Sequence, residues 1–209
     1  MYEDIDFFKK EFNVSRETIE KLKIYHKLLI EKNKTLNLIG KNTEKSIFSR
    51  HFIDSAQIYH LLDKKSDIID VGSGAGFPGI IVKILMENES IKGNIILIEK
   101  SPKKSNFLRD LCIKLDLKVK IENIRLEIYD FFETSTVVSR AFKSTLDTIN
   151  ILYKNIENIK ELVLLKGKTY QQDIDDAKKK YTFELEKFRS ITSDESSIIK
   201  IKNIKLNTT

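Results

Sequence analysis

The chain has little of what usually punctuates or staples a fold. Its 209 residues include one cysteine, two prolines, seven glycines, three histidines and no tryptophan. The single cysteine, Cys112, excludes an internal disulfide framework and points to a reducing compartment. His26, His51 and His60 have no metal-ligand spacing, so no metal site is expected. No apolar run approaches the roughly 18 residues of a membrane-spanning helix. The first twelve residues are acidic and have no apolar stretch, so a secretory signal peptide is not expected. There is no low-complexity segment and no internal repeat.

Lysine and isoleucine are in excess, 31 of each, against six arginines. This skew resembles a bias toward A·T-rich codons more than selection for phosphate binding. The 37 bases and 31 acids leave a net charge of +6. Residues 1–66 carry 13 − 10 = +3, residues 67–150 carry 12 − 12 = 0, and residues 151–209 carry 12 − 9 = +3. A neutral centre with mildly basic ends favours an anionic partner only weakly. With 41% hydrophobic and 33% charged residues, the composition is that of a globular protein with one domain of ordinary size.

The periodicity predicts helices first. Residues 15–38 read as an amphipathic helix, capped by Ser15 and striped by Ile19, Leu22, Tyr25, Leu29 and Lys32, with Gly40 as its stop. A second helix is expected over about 43–62. From residue 66 the pattern changes to short β-branched runs alternating with helices. Strands are expected at 66–72, 94–99, 118–121, 136–139 and 161–166, and helices at 78–88, 101–117, 144–157 and 169–179. Cys112 falls on the apolar stripe of the 101–117 helix and is read as core. Two further strands, 181–188 and 197–204, lack a helix between them and suggest an antiparallel addition to a parallel α/β sheet. The expected organisation is a helical extension over 1–65 and an α/β domain over 66–209.

The most informative segment is D-V-G-S-G-A-G-F-P-G at 70–79. A strand runs into glycines at alternate positions and then into a helix, which suits close approach of a ligand to the backbone. The dinucleotide fingerprint G-x-G-x-x-G would need its third glycine at Phe77, but that glycine comes one residue early, at Gly76. The spacing G-x-G-x-G after an acid is instead similar to the first motif of methyltransferases that use S-adenosylmethionine. Gly72, Gly74 and Gly76 are expected to lie against that cofactor. Glu99, ending the second strand, is placed to accept both ribose hydroxyls, as NAD enzymes also arrange.

With these residues in place the chain resembles the RsmG family, also called GidB. Beside the glycine loop it shares N-K-T-L-N-L at 33–38, R-H-F-I-D-S at 50–55, K-K-S-N-F-L at 103–108, S-R-A at 139–141 and L-K-G at 165–167. The resemblance implies a Rossmann-like class I methyltransferase fold behind an N-terminal helical extension. It implies a cytoplasmic bacterial enzyme that methylates a guanine of 16S ribosomal RNA at N7, with the RNA or the small ribosomal subunit as partner. By position it places cofactor contacts on Gly72, Phe77, Leu126, Glu127 and Arg140. Arg50 and His51, on one helix face with Asp54, and Lys166 are the RNA-contact candidates, Arg50 and His51 equally able to lock the helices onto the sheet. The family often has Trp where Lys32 stands, commonly Asp where Glu99 stands, and an Arg near Ser196. The competing readings are a noncatalytic RNA-binding or ribosome-assembly factor, a small-molecule methyltransferase and an NAD-dependent oxidoreductase.

Overall fold

The computed structural model describes residues 2–131 and 133–207. The chain starts with α1 (Tyr2–Glu11); its Phe8, and Phe12 directly after the helix, are both buried. This helix lies within the expected helical extension, although no separate helix is drawn there from the periodicity. α2 (Arg16–Leu36) is capped as expected, the Ser15 hydroxyl accepting the Thr18 N–H at 3.1 Å. Such a cap contributes about 1 kcal/mol. The helix ends at Asn37 in the left-handed region, φ 46°, and not at Gly40. The stripe position expected at Lys32 is exposed, and its neighbour Asn33 is buried instead. The Asn33 amide donates to Glu44 at 2.6 Å and accepts the Ile39 N–H at 2.9 Å, folding the chain back after the helix.

The second expected helix is broken into short pieces. A 3-10 helix (Lys41–Ser46) leads into a wide π-helical turn (Phe48–Ile53), α3 (Asp54–Ala56) and a final 3-10 turn (Tyr59–Leu61). Ile47, Phe48, Phe52, Ile53, Ala56, Ile58 and Tyr59 are all buried. Those positions do not fall on one α-helical face, so changes of pitch are needed to turn them all inward.

Seven strands follow: β1 (Asp67–Val71), β2 (Ile95–Ile98), β3 (Lys120–Glu122), β4 (Ser135–Arg140), β5 (Ile159–Lys166), β6 (Tyr181–Arg189) and β7 (Ser197–Leu206). They form one sheet in the order β3-β2-β1-β4-β5-β7-β6. The first five are mutually parallel, while β7 runs antiparallel to both β5 and β6. The crossover helices are α4 (Gly79–Asn88), α5 (Pro102–Leu115) and α6 (Thr145–Leu152), with α7 (Tyr170–Lys178) leading into β6. Only a short loop joins β6 to β7, and such a link permits antiparallel pairing alone.

The central strands β1, β2, β4 and β5 are buried on both faces, unlike the edge strands β3 and β6. Ile68, Leu97, Val138 and Val163 face the N-terminal helices together with α4 and α5. Ile69, Val71, Val137, Leu162 and Leu164 face α6 and α7. β1 leads to β2 on one side and lies beside β4 on the other, so strand order reverses between β1 and β4. In open α/β sheets, ligands bind at the carboxyl ends of the strands at this reversal.

Candidate active site

The glycine loop leaves the carboxyl end of β1 at that reversal. Gly72, Gly74 and Gly76 have φ of +72°, +57° and +101°. Two carboxylates hold the loop in shape. Glu99 Oε2 accepts the Gly74 N–H at 2.9 Å, and its Oε1 accepts the Ser101 N–H at 2.8 Å. Asp70 Oδ2 accepts the Gly79 N–H at the start of α4, at 3.0 Å. Glu99 is therefore a strut of the loop, and each of its oxygens keeps a lone pair for a further donor. Asp70 Oδ1 is buried and has no hydrogen-bond partner among the described residues. Burial pushes the Asp70 carboxyl up to about 7, against the lowering effect of the Gly79 N–H. An orphaned acceptor beneath the loop is an observation that a cationic ligand group would explain.

The three glycines serve different ends. A Cβ on Gly72 would stand 2.3 Å from the Phe142 ring. One on Gly76 would stand 2.7 Å from Ile80, 2.8 Å from the Tyr25 hydroxyl and 3.1 Å from Leu108. One on Gly74 would meet nothing nearer than the Gly72 carbonyl oxygen at 3.7 Å. The Cβ direction of Gly76 faces the core, so only its backbone is available to a ligand in the loop. Gly74 is the glycine with open space above it.

Phe77 is also a core residue by its side chain, only 4% exposed. Its ring stacks with His51 at 5.2 Å and 13° and with Tyr25 at 5.4 Å and 18°, and the Arg140 guanidinium lies 4.9 Å from its centroid. Leu126 is likewise buried, in the turn after β3, whereas the adjacent Glu127 is exposed. Any ligand contact by Phe77 or Leu126 then falls to their backbone.

Arg140, at the end of β4, is bound into the N-terminal helices. It donates to Asp54 Oδ2 at 3.1 Å, to the Arg50 carbonyl at 2.9 Å and to His51 Nδ1 at 2.5 Å. A guanidinium has no acceptor, so His51 Nδ1 must be unprotonated. The other ring nitrogen, Nε2, lies 2.9 Å from the Thr43 hydroxyl, whose own proton goes to the Gly40 carbonyl. His51 is therefore neutral with its proton on Nε2. Burial, then Arg140 and Arg50, depress its pKa to about 3. Asp54 Oδ1 accepts from Gln57 at 2.9 Å and from the Thr192 hydroxyl at 2.7 Å, which ties the loop between β6 and β7 into the same network.

A cleft of about 270 Å³ opens beside this network. Arg50, His51 and Arg140 line one side; Ser190, Thr192, Ser193 and Ser196 line the other. Arg50 is exposed and has no ion pair among the described residues. Lys166 lines the cleft but is already engaged, its ammonium 2.7 Å from Asp173 and 2.8 Å from the Lys143 carbonyl. Lys166 thus holds the turn after β4. Of the RNA-contact candidates, Arg50 is the one with a free charge. The sequence pattern does not single out Phe142, and of the loop between β6 and β7 it touches only the position of Ser196. The available signals were the aromatic directly after S-R-A and the crowding of Ser and Thr over 190–197.

Asp70 and His51 make opposite contributions to stability as pH changes. Between its ordinary 3.8 and about 7, folded Asp70 keeps a proton that the unfolded chain has lost. Its contribution therefore falls as pH rises through that window. Between about 3 and 6.5, folded His51 lacks a proton that the unfolded chain carries, so its contribution falls as pH falls. The two slopes oppose each other from about pH 4 to 6.5. We expect Asp70→Asn to expose the His51 slope, with stability dropping toward acid. We expect His51→Gln to expose the Asp70 slope, with stability rising toward acid. Each slope is at most about 1.4 kcal/mol per pH unit. Urea unfolding at several pH values checks this; parallel profiles for all three proteins would refute it.

No helix among the described residues is long and apolar enough to cross a membrane, and no group of three metal-ligating side chains occurs among them. Solved structures confirm the fold class. TrmI, a tRNA methyltransferase from Aquifex aeolicus, superposes with a TM-score of 0.51 at 13% identity, over 75% of this chain and 69% of that one. The 23S rRNA methyltransferase ErmE superposes with a TM-score of 0.50 at 12% identity, over 71% and 66%. Sequence similarity is far higher to proteins named ribosomal RNA small subunit methyltransferase G. The one from Pelagibacter ubique is 37% identical over 94% of this chain and 93% of its own length. The one from Orientia tsutsugamushi is 37% identical over 94% and 96%. The family model GidB, rRNA small subunit methyltransferase G, matches residues 18–200, and the chain belongs to that family.

Proposed function

We propose that this protein transfers the methyl group of S-adenosylmethionine to N7 of a guanine in a loop of 16S ribosomal RNA. One observation supports this most: the glycine loop and the Arg50-lined cleft meet at the carboxyl end of β4, where Arg140 borders both. A cofactor cradle and an anion-compatible cleft thus share an edge. On this reading Asp70, Gly72, Gly74 and Glu99 hold the cofactor, with Leu126 and Glu127 at the far end of the cradle. The orphaned Asp70 Oδ1 and the free lone pairs of Glu99 fit a ligand with a cationic end and a ribose. When bound, S-adenosylmethionine supplies an electrophilic methyl group on sulfonium sulfur.

The protein's own work is then positioning. Guanine N7 has a lone pair and no proton, so no side chain has to remove one before attack. The structure agrees with such a mechanism, because His51 is engaged at both nitrogens and is in no state to act as a base. Orientation of two reactants can lower a barrier by roughly 7–11 kcal/mol. Arg50 and the hydroxyls of Ser190, Thr192, Ser193 and Ser196 are suited to RNA phosphates and sugars. With few free cations in the cleft, RNA affinity should fall only modestly with salt. A chain that modifies the bacterial ribosome acts in the cytoplasm.

The test is to map N7-methylguanine along 16S ribosomal RNA from cells with and without the gene, and after adding the purified chain and cofactor. One guanine should lose its mark without the gene and regain it in vitro. Methylation at a carbon or an exocyclic nitrogen would overturn the choice of N7. No cofactor-dependent mark at all would overturn the activity.

A further inference from the structure

Phe142 follows the S-R-A triplet and lies against the glycine loop, its ring so near Gly72 that even a methyl group there would collide at 2.3 Å. The turn that carries it is built to hold it. Ala141 adopts the left-handed region at φ +50°, and the Lys166 ammonium, anchored on Asp173, binds the Lys143 carbonyl at 2.8 Å. Phe77, Phe52 and Tyr25, rings of the core on the N-terminal side, are buried, whereas Phe142, packed against the core beside α6 and α7, keeps part of its surface open. Ala141, directly before it, lines the cleft that contains Arg50. The exposed Lys143 places its ammonium 5.8 Å from the Phe142 ring centroid. A partly open aromatic ring, packed against the cradle one residue from the cleft and with the Lys143 ammonium beside it, is suited to an unstacked nucleobase whose phosphate pairs with that ammonium.

We propose that Phe142 is the surface on which the target guanine stacks, and that its π face stabilises the charge arising during transfer. This rests on the methyl transfer proposed above. In that step the N7 lone pair forms the new N–C bond, and the C–S bonding pair stays with sulfur. The sulfonium becomes a neutral thioether and the purine becomes a cation. Positive charge thus moves onto the base as it is methylated, and an aromatic face attracts it more in the transition state than before reaction. The effect should therefore appear in the single-turnover rate at saturating RNA as well as in RNA affinity.

The experiment compares Phe142→Leu, Phe142→Trp and Phe142→Ala with the wild-type chain, using 16S ribosomal RNA and small subunits as substrates. Calorimetry with S-adenosylhomocysteine and thermal melting are run in parallel. Phe142→Leu, which keeps the bulk without the π face, should lower kcat/KM by about tenfold to a hundredfold, the range for one lost base stack. Part of that loss should fall on the maximal single-turnover rate. Phe142→Trp should retain at least half the wild-type rate, and all folded variants should bind S-adenosylhomocysteine within about threefold of wild type. If Phe142→Ala fails to fold, the Leu and Trp variants still decide the matter. A Phe142→Leu enzyme as fast as wild type would show the ring to be apolar filler over Gly72 and overturn the proposal. A tenfold or larger loss of S-adenosylhomocysteine affinity in Phe142→Leu would make it a wall of the cofactor site and also overturn it. A wild-type chain that yields no N7-methylguanine overturns the functional reading itself, and this proposal with it.

Discussion

Gly76→Val is expected to prevent stable folding, not to empty a cofactor site in a folded protein. The valine Cβ would meet Ile80 at 2.7 Å and the Tyr25 hydroxyl at 2.8 Å, both on fully buried residues. The backbone there has φ +101°, which a β-branched residue reaches only under strain. Strain of this kind costs about 1–3 kcal/mol, and overpacking a core adds about as much. The change also displaces the Tyr25 hydroxyl from the Ala75 carbonyl, to which it donates at 2.6 Å. A total of roughly 2–6 kcal/mol reaches the lower end of the about 5–15 kcal/mol that an ordinary domain has, so the folded fraction should fall steeply. Gly74→Ala makes the contrast. With open space above it and φ +57°, it should cost about 1–2 kcal/mol of stability while weakening S-adenosylmethionine binding. Urea unfolding and calorimetry on the two variants separate the cases. A Gly76→Val protein with wild-type stability and no cofactor affinity would put Gly76 on the ligand side after all.

Arg140→Ala should cost about 3–5 kcal/mol, because it strips the partner from a largely buried carboxylate. Asp54 would keep only Gln57 and Thr192, and His51 Nδ1 would lose its donor. The cation over the Phe77 ring would go as well. The joint between the N-terminal helices, the end of β4 and the loop between β6 and β7 would then open, and RNA methylation should fall at least a hundredfold. Arg140→Lys should recover little, since one ammonium cannot reproduce three directed donors and a flat face. The pair Asp54→Asn and Arg140→Ala should be clearly less than additive in stability, because each change alone removes the same ion pair. Additive costs would show that the two residues do not act together. A folded, stable Arg140→Ala chain with cofactor affinity alone reduced would return Arg140 to the role of a cofactor ligand.

These two residues also show where reading the sequence ran out. The glycine spacing singled out the loop, because glycine at alternate positions after a strand is a local demand on φ. It said nothing about which way each Cα faces, and Gly76 turns toward Tyr25 of α2, far earlier in the chain. Arg140 and Lys166 are singled out as well, as ligand contacts, and His51 as either an RNA contact or a lock between the helices and the sheet. The Asp54 partner of Arg140 comes from a segment far away in the chain, so that engagement is invisible in any local pattern. The segment after residue 41 was read as one helix because its apolar residues are dense. Only packing against α1 and Phe77 shows why its pitch has to change.

By itself the sequence determined the alternation of strands and helices, the antiparallel end of the sheet, the cradle at 70–79 and the family. Each of these rests on interactions within a short stretch: period-two and period-3.6 burial, N-caps, and glycine where φ must be positive. The tertiary structure alone decided which charged groups remain free. Arg140 joins Asp54 and His51 across the fold, His51 and Lys166 are further held by Thr43 and Asp173 from adjacent elements, Arg50 has no ion pair among the described residues, and Phe142 packs against Gly72 while staying partly open. The physical reason is that a charge or a ring is committed or available according to what lies within a few ångströms of it, and in a parallel α/β fold those neighbours come from distant parts of the chain.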